Sequence, residues 1–177
     1  MKQSRTGNND HILPDVLARG LDVVFCGSAA GTASAKAGAY YAGPGNRFWP
    51  ILHEIGLTPR QLAPQDFRDV TQYGLGLTDM SKFQSGADST LDASGDDADA
   101  LATKIAIHAP RVLAFNGKRA GGVFLRDVLE SKIEDCGLQP QTLGATALFV
   151  LPSTSGAARR WWDAAPWRAL AEYLGRG

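Results

Sequence analysis

The chain has 177 residues, of which 44% are hydrophobic, as expected for one domain with a single sizeable core. Its 18 basic and 18 acidic residues give a formal net charge of zero, which excludes a strong overall field, so any contact with nucleic acid needs a local basic patch. The two cysteines, Cys26 and Cys136, lack metal-binding spacing and fit a reducing cytoplasm. No apolar run approaches the ~20 residues that span a membrane.

The predicted elements begin after a polar N-terminal segment that has no signal-peptide pattern, so a disordered tail is expected over residues 1–12, ahead of one domain at 13–177. Residues 13–17 predict a turn or short helix. Four apolar runs are typical of buried parallel strands. They are residues 21–26, 74–80, 111–115 and 146–151.

Helices are predicted between these runs from apolar periodicity and start signals. They are residues 47–55, a short helix from Pro59, and residues 64–69, 98–108, 118–131 and 157–174, the last interrupted at Pro166. Residues 84–97 are polar and acidic and predict an exposed loop that does not face phosphate groups. The alternation predicts an α/β fold: a three-layer α/β/α sandwich around a four-stranded parallel sheet, in a single domain.

Small or polar residues follow each predicted strand. The four strand ends are Gly27-Ser28-Ala29, Thr78-Asp79, Asn116-Gly117 and Ser153-Thr154-Ser155. Because ligands of open parallel sheets bind outside the carboxyl ends of the strands, these ends predict one shared site. Tiny residues let a ligand approach the backbone closely, and Tyr40 and Tyr41 supply flat walls, so a planar ring is the expected ligand.

Each candidate also has a structural interpretation. The 27–31 segment is equally explained as a plain turn, and Tyr40 or Tyr41 as core. Five polar or charged candidates also have structural roles, as caps, turn residues or solvated surface. They are Asn46 as an N-cap, Asp79 as a cap, Asn116 as a turn residue, and Lys118 with Arg119 as a solvated face rather than a phosphate site.

A basic and aromatic run, Arg159-Arg160-Trp161-Trp162, follows the last strand. Such a run suits phosphates and bases, although either tryptophan alone is more often core. The sequence shows no defensible Ser/His/Asp triad and no metal constellation, so no metal and no cofactor are expected.

Several of these segments resemble the uracil-DNA glycosylase superfamily. Residues 14–17 (PDVL), 23–27 (VVFCG) and 44–49 (PGNRFW) resemble the mismatch-specific uracil-DNA glycosylases, and residues 151–156 (LPSTSG) stand where the superfamily has its second motif. Residues 115–118 (FNGK), the Tyr40-Tyr41 pair and the PSTS run are closer to the hypoxanthine-DNA glycosylase branch. The resemblance covers about residues 13–160 and implies the same sandwich fold.

The resemblance also implies roles. Tyr41 matches the aromatic residue that stacks on the flipped base. Ala29 stands where the family usually has an Asn or Asp that positions water, and Ser153 where the second motif opens with Asn or His. Ala157 matches the residue that wedges into DNA but is too small for a good wedge, so Arg159 or Trp161 is a substitute.

The chemistry therefore falls to other residues. The expected catalytic residues are Asn46, Asp79, Asn116 and Ser153. The expected base-binding residues are Gly27, Ser28, Ala29, Tyr40 and Tyr41. The expected DNA-binding residues are Ser155, Gly156, Arg159, Arg160 and Lys118. Main-chain N–H groups at residues 28–30 are further donors for the leaving base, and Asp79 would accept the uracil N3–H or serve as a base for water.

The leading expectation is a monofunctional glycosylase that hydrolyses the N-glycosidic bond of uracil in DNA and leaves an abasic site. Its expected partners are uracil-containing DNA and free uracil as product; it is expected to be a monomer without a membrane partner, in the cytoplasm with the nucleoid. Three alternatives stay open. They are hypoxanthine as the base, a non-catalytic binder of damaged or abasic DNA, and a small-molecule-binding protein without a DNA partner.

Overall fold

The structure, a computed structural model, describes residues 10–177. A central sheet is flanked by helices. Its strands are β1 Val23–Gly27, β2 Leu75–Asp79, β3 Val112–Asn116, β4 Gly137–Leu143 and β5 Thr146–Leu151. The α-helices are α1 Thr32–Ala37, α2 Phe48–Glu54, α3 Ala98–His108, α4 Lys118–Leu129 and α5 Ala165–Tyr173. Short 3-10 helices lie at Pro64–Tyr73, Asp88–Thr90, Ala93–Gly95 and Gly156–Trp161.

The strand order in the sheet is β2-β1-β3-β5-β4. The four strands predicted from the sequence form a parallel array, with β1 between β2 and β3, and β3 beside β5. The predicted count of four is wrong, because β4 pairs with β5 in the antiparallel direction and adds a fifth strand at one edge. The sheet is therefore mostly parallel rather than entirely so.

Alternate residues of β1 enter two separate cores, because neighbouring side chains of a strand point to opposite faces. Val23 and Phe25 pack with apolar side chains of α2 and α5 on one face. Val24 and Cys26 pack with those of α3 and α4 on the other face. Both sheet faces are thus covered, which gives the three layers and explains why the parallel strands read as continuous apolar runs.

Several helices differ from the sequence expectation. The small residues of α1 carry no apolar stripe, so this helix was not predicted, while the helix expected from Pro59 does not form. Pro166 does not interrupt a helix. It lies in the first turn of α5, where its missing N–H costs nothing, and a separate 3-10 turn precedes it.

The N-terminal segment lies along the outer side of β2. Val16 forms an antiparallel bridge with Leu77, with N–H to O distances of 2.9 and 2.8 Å, so residues 13–17 do not form the predicted turn or helix. Of the predicted tail, residues 1–9 lie outside the described part, whereas the Ile12 N–H donates to the Lys82 carbonyl at 2.8 Å. Within residues 10–177 no helix has the length and apolarity to cross a membrane.

Candidate active site

One cavity of about 600 Å³ opens where the parallel strands end. It brings together most of the residues that the sequence nominated. Those that line it are Gly27, Ser28, Ala29, Tyr40, Tyr41, Asn46, Asp79, Asn116, Ser153, Ser155 and Gly156. Lys118, Arg159 and Arg160 do not line it. In the described part of the chain no cluster of His, Cys, Asp and Glu has the make-up of a metal site.

The floor of the cavity depends on the missing side chain of Gly27. A Cβ atom at this position would lie 2.9 Å from Asp79 Oδ1 and 3.4 Å from the Tyr41 hydroxyl oxygen. Only glycine therefore lets the carboxylate and the phenol approach the end of β1 together. Asp79, the last residue of β2, is 5% exposed, and burial raises its pKa to about 6, against the opposing pull of Lys82.

A cluster of buried charges lies behind Asp79. Lys82 Nζ lies 2.9 Å from Asp15 Oδ1 and 3.9 Å from Asp79 Oδ2. Asp15 also pairs with Lys104 at 2.5 Å and accepts a hydrogen bond from the Thr78 hydroxyl at 2.7 Å. Sequence reasoning missed this cluster, because Asp15 and Lys104 are far in the chain from Asp79 and Lys82 and no local spacing joins them.

Tyr41 and Tyr40 differ in their surroundings. The Tyr41 ring stacks on Phe48, with centroids 3.9 Å apart, so one face is covered by protein. Its backbone has φ +52°, a left-handed conformation that a bulky residue rarely adopts. Its buried hydroxyl has no hydrogen-bond partner in the described structure. Burial raises the pKa of this phenol well above its usual value; Asp79 adds to the rise, and the Asn116 amide opposes it.

Tyr40 behaves mainly as core. Its side chain is 1% exposed and packs against Phe67. Its hydroxyl donates to the Pro14 carbonyl at 3.0 Å and accepts from Lys82 Nζ at 3.1 Å. It therefore supports the cavity wall and the charge cluster.

The two asparagines are both engaged with backbone or side chains. Asn46 Oδ1 accepts from the Phe48 N–H at 3.0 Å, so it caps the first turn of α2 from the position before Arg47, the N-cap residue, and is not itself the expected N-cap. Asn116 Nδ2 donates to Thr154 Oγ1 at 2.9 Å, and the Thr154 N–H donates to Asn116 Oδ1 at 3.0 Å. Asn116 thus ties the end of β3 to the loop after β5, while the amide nitrogen of Asn46 donates to no residue in the described structure.

Two loops meet at one side of the cavity. The Arg47 N–H donates to the Thr154 carbonyl at 2.9 Å. A Cβ atom on Gly156 would lie 2.8 Å from the Pro44 carbonyl oxygen, so the absence of a side chain there permits the contact. Ser153 and Ser155 use their hydroxyls locally, accepting from the Ser155 and Ala157 N–H groups. Ser153 therefore shapes this loop.

The loop at residues 84–97 was predicted to be exposed and not to face phosphate groups. None of its residues is buried, but residues 86–89 also form part of the cavity wall. The Gly86 N–H donates to the Ala30 carbonyl at 2.9 Å, which draws the loop against the segment after β1. Asp96 forms two hydrogen bonds, at 3.1 and 2.9 Å, with Arg119, so this guanidinium is neutralised.

A basic and aromatic surface lies outside the cavity. Trp161 is 76% exposed and also lines the cavity mouth. The Arg160 guanidinium lies over its ring, 5.8 Å from the centroid, and that of Arg47 lies 5.4 Å from the Trp162 ring. Arg159 and Lys118 are exposed. These basic side chains are the kind of local positive charge that contact with phosphates requires in a chain of zero net charge.

The fold and cavity define a mostly parallel α/β protein with an open cavity at the carboxyl ends of its strands, where ligands of such sheets bind. The model of the uracil DNA glycosylase superfamily matches residues 14–174. The chain therefore belongs to that superfamily, as the sequence motifs suggested. Membership supports a role as a DNA glycosylase, a hydrolase that acts on N-glycosyl bonds in base excision repair.

The fold is also similar to a solved structure. A protein from Methanosarcina acetivorans, provisionally assigned as a uracil DNA glycosylase and solved by solution NMR, is 22% identical. The match covers 92% of this chain and 96% of the other, with a TM-score of 0.64. At this identity the likeness concerns the fold.

Proposed function

We propose that the protein is a monofunctional DNA glycosylase that removes uracil from DNA, leaving an abasic site and free uracil. The observation that supports this most directly is a buried carboxylate, Asp79, at the floor of the cavity that Tyr41 and Asn46 also line. In this proposal the target nucleotide is flipped from the duplex into the cavity, at a cost of about a few kcal/mol.

The exposed face of Tyr41 then stacks on the base, since Phe48 covers its other face. The Asp79 carboxylate accepts the N3–H of uracil, and an amide N–H of Asn46 or Asn116 donates to the neighbouring carbonyl oxygen. An acceptor beside a donor matches the N–H and C=O edge of uracil. Cytosine presents the opposite order, a ring nitrogen acceptor beside an amino donor, and is rejected because its groups would remain unpaired.

Cleavage develops positive charge on the sugar and negative charge on the departing base. Amide and main-chain donors stabilise the leaving anion, because they are fixed in place before the reaction begins. Ala29 offers no side-chain group for water. The free amide nitrogen of Asn46 is the candidate for orienting the attacking water, and this step needs no metal or cofactor in the proposed mechanism.

Hypoxanthine is the second candidate base. Its N1–H and O6 present the same donor and acceptor order as uracil N3–H and O4, so the same pair of protein groups would recognise it. The two bases differ in size, and the width of the cavity around Tyr41 would decide between them. This edge pattern is the observation that favours the second candidate.

The test uses purified protein with duplex and single-stranded oligonucleotides that carry one uracil, hypoxanthine, cytosine or adenine. We expect alkali-dependent strand breaks at uracil, none at cytosine or adenine, and none anywhere without alkali. An intact uracil strand at stoichiometric protein would contradict the proposal. Tight binding to abasic DNA without base release would indicate a non-catalytic damage binder. The absence of any salt-dependent DNA affinity would favour the small-molecule alternative.

A further inference from the structure

Asp79 and the cluster behind it bury two carboxylates and a lysine ammonium group. Lys82 is 8% exposed, and the side chains of Asp15 and Asp79 are 9% and 5% exposed. Buried ions of this kind are costly to desolvate and are often replaceable by apolar residues without loss of stability. Asp79 lines the cavity, and Lys82 and Asp15 lie directly behind it, so the buried charges point to a role in the chemistry of the site.

Lys82 is held in one place by groups other than Asp79. Its ammonium contacts Asp15 Oδ1 at 2.9 Å and donates to the Tyr40 hydroxyl at 3.1 Å, while the Asp79 carboxylate is farther away at 3.9 Å. Asp15 is itself anchored by Lys104 at 2.5 Å. Lys82 thus acts on Asp79 through its charge from a fixed position.

We propose that Lys82 is a positioning residue that keeps Asp79 ionised and balances the negative charge of the departing base. Two consequences follow in the mechanism, which rests on the proposed function. Asp79 can accept the base N–H only as a carboxylate, and a carboxylate beside a leaving anion is repulsive unless a cation lies near. Lys82 is the cation nearest to Asp79 in the described structure.

The electrostatic balance at Asp79 depends on groups from several elements. The titratable groups that influence it, or are influenced by it, are Asp15, Cys26, Tyr40, Tyr41, Lys82 and Lys104. Burial and Asp15 raise the pKa of Asp79, whereas Lys82, and less strongly Lys104, lower it. Without Lys82, burial and Asp15 still raise the pKa of Asp79, and only Lys104 lowers it.

The first readout does not depend on activity. Protein labelled with ¹³C at aspartate carboxyl carbons is titrated by NMR, with the Asp79 signal assigned from Asp79→Asn. We expect a midpoint near 6 in the parent protein and a rise of about one pH unit or more in Lys82→Met, equivalent to about a tenfold change in the ionisation equilibrium. Lys82→Arg keeps the positive charge, so its midpoint should be close to that of the parent protein. Lys132→Met, at an exposed lysine, should leave the midpoint unchanged.

Asp15→Asn gives a test of opposite sign and covers the case in which Lys82→Met does not fold. It removes a like charge and releases Lys82 toward Asp79, so the Asp79 midpoint should fall. An unchanged Asp79 midpoint in folded Lys82→Met, or in Asp15→Asn where Lys82→Met does not fold, would overturn the proposal.

The second readout is the single-turnover rate of uracil release as a function of pH. In Lys82→Met the acid limb of this pH–rate profile should move to higher pH by the same interval as the NMR midpoint. A merely structural role of Lys82 would not produce this shift. A shifted midpoint with an unmoved acid limb would overturn the catalytic part of the inference. If no base is released from any oligonucleotide, the proposed function fails and so does the role in reaction, whereas the NMR titration still decides whether Lys82 controls Asp79.

Discussion

Asn46 combines two groups with separate uses on one side chain. Its Oδ1 atom accepts from the Phe48 N–H and fixes the start of α2, whereas its Nδ2 atom is left for a ligand at the cavity wall. The sequence suggested both capping and catalysis for this residue, and the structure establishes only the cap. The two uses can be separated because aspartate keeps the oxygen and loses the amide.

Asn46→Asp should therefore keep the cap and lose the donor. We expect a melting temperature close to that of the parent protein and uracil release lowered about 10²- to 10³-fold, the usual effect of deleting one transition-state donor. Asn46→Ala should lose the same activity and about 1 kcal/mol of stability besides. Single-turnover rates and thermal melts check both variants, and full activity in Asn46→Asp would assign this residue to capping alone.

Tyr41 is the residue for which ring and hydroxyl should give different results. Tyr41→Ala removes the stacking face and should weaken binding of free uracil by roughly 1–3 kcal/mol. Tyr41→Phe keeps the ring and deletes the buried, unpartnered hydroxyl, so binding should persist and stability should not fall. Calorimetric affinities and melts measure the two effects; equal loss of affinity in both variants would contradict stacking.

At the scale of elements, the segment after β5 changes from cavity wall to outer surface within a few residues. Asn116 holds Thr154, Gly156 lies against the Pro44 carbonyl, and the 3-10 helix Gly156–Trp161 then turns outward. Ala157, at the position of the family wedge, is exposed but short. Trp161 is the large exposed side chain at the cavity mouth and is the better candidate for contact with the bases beside the flipped nucleotide.

Trp161→Ala should weaken binding to uracil-containing DNA by roughly 1–3 kcal/mol if the ring stacks on a base. Its melting temperature should not change, because the side chain is 76% exposed and packs against little. Leu138→Ala, which shortens an exposed side chain on β4, is the matched control and should bind DNA normally. Fluorescence anisotropy at fixed salt checks this, and unchanged affinity in Trp161→Ala would remove the tryptophan from the DNA surface.

The limits of sequence prediction are clearest at β4. Its seven residues alternate in burial as a strand should, but with the polarity reversed, since Gln139 is buried and Leu138 is 53% exposed. Gln139 satisfies its amide on the Asp135 and Gly137 carbonyls, and Leu143 at the end of the strand is the one apolar side chain on the inner face of β4. Pro140 further argues against a strand, although it is tolerated at an edge. The four apolar strands were predictable because burial on both faces makes them uniformly apolar.

At the scale of the whole molecule, ionisation of Asp79 should lower stability. Its pKa is raised from 3.8 to about 6, so between these values the folded protein keeps a proton that the unfolded chain releases. Stability from this group therefore falls as pH rises through that window and is level above it. The full penalty is on the order of 3 kcal/mol as an upper estimate.

Asp79→Asn removes this penalty, and Lys82 keeps Asp15 as a partner at 2.9 Å. We expect the stability advantage of the variant to grow between pH 4 and pH 6, by up to about 3 kcal/mol, and then to remain constant, while uracil release is lost. Urea unfolding at several pH values measures the difference. A constant difference across the range would show that Asp79 does not titrate as inferred.

The strand ends of the site were predictable from the sequence because parallel topology places all of them at one edge. The charge cluster was not, since Asp15 meets Lys82 and Lys104 only after the chain has folded. By residue type alone Tyr40 and Tyr41 were equivalent; the family resemblance singled out Tyr41, and packing places Tyr40 mainly in the core.

The N-terminal segment around Val16 both covers the edge of the sheet and carries Asp15, which belongs to the charge cluster behind Asp79. β2 is an edge strand of the sheet, and edge strands with unpaired backbone groups template aggregation. Val16 occupies the N–H and C=O groups of Leu77, and the adjacent Asp15 balances the lysines behind Asp79. Substitutions that detach this segment would leave the β2 edge unpaired and the lysines behind Asp79 without their carboxylate partner. Variants here that lose activity should therefore also aggregate.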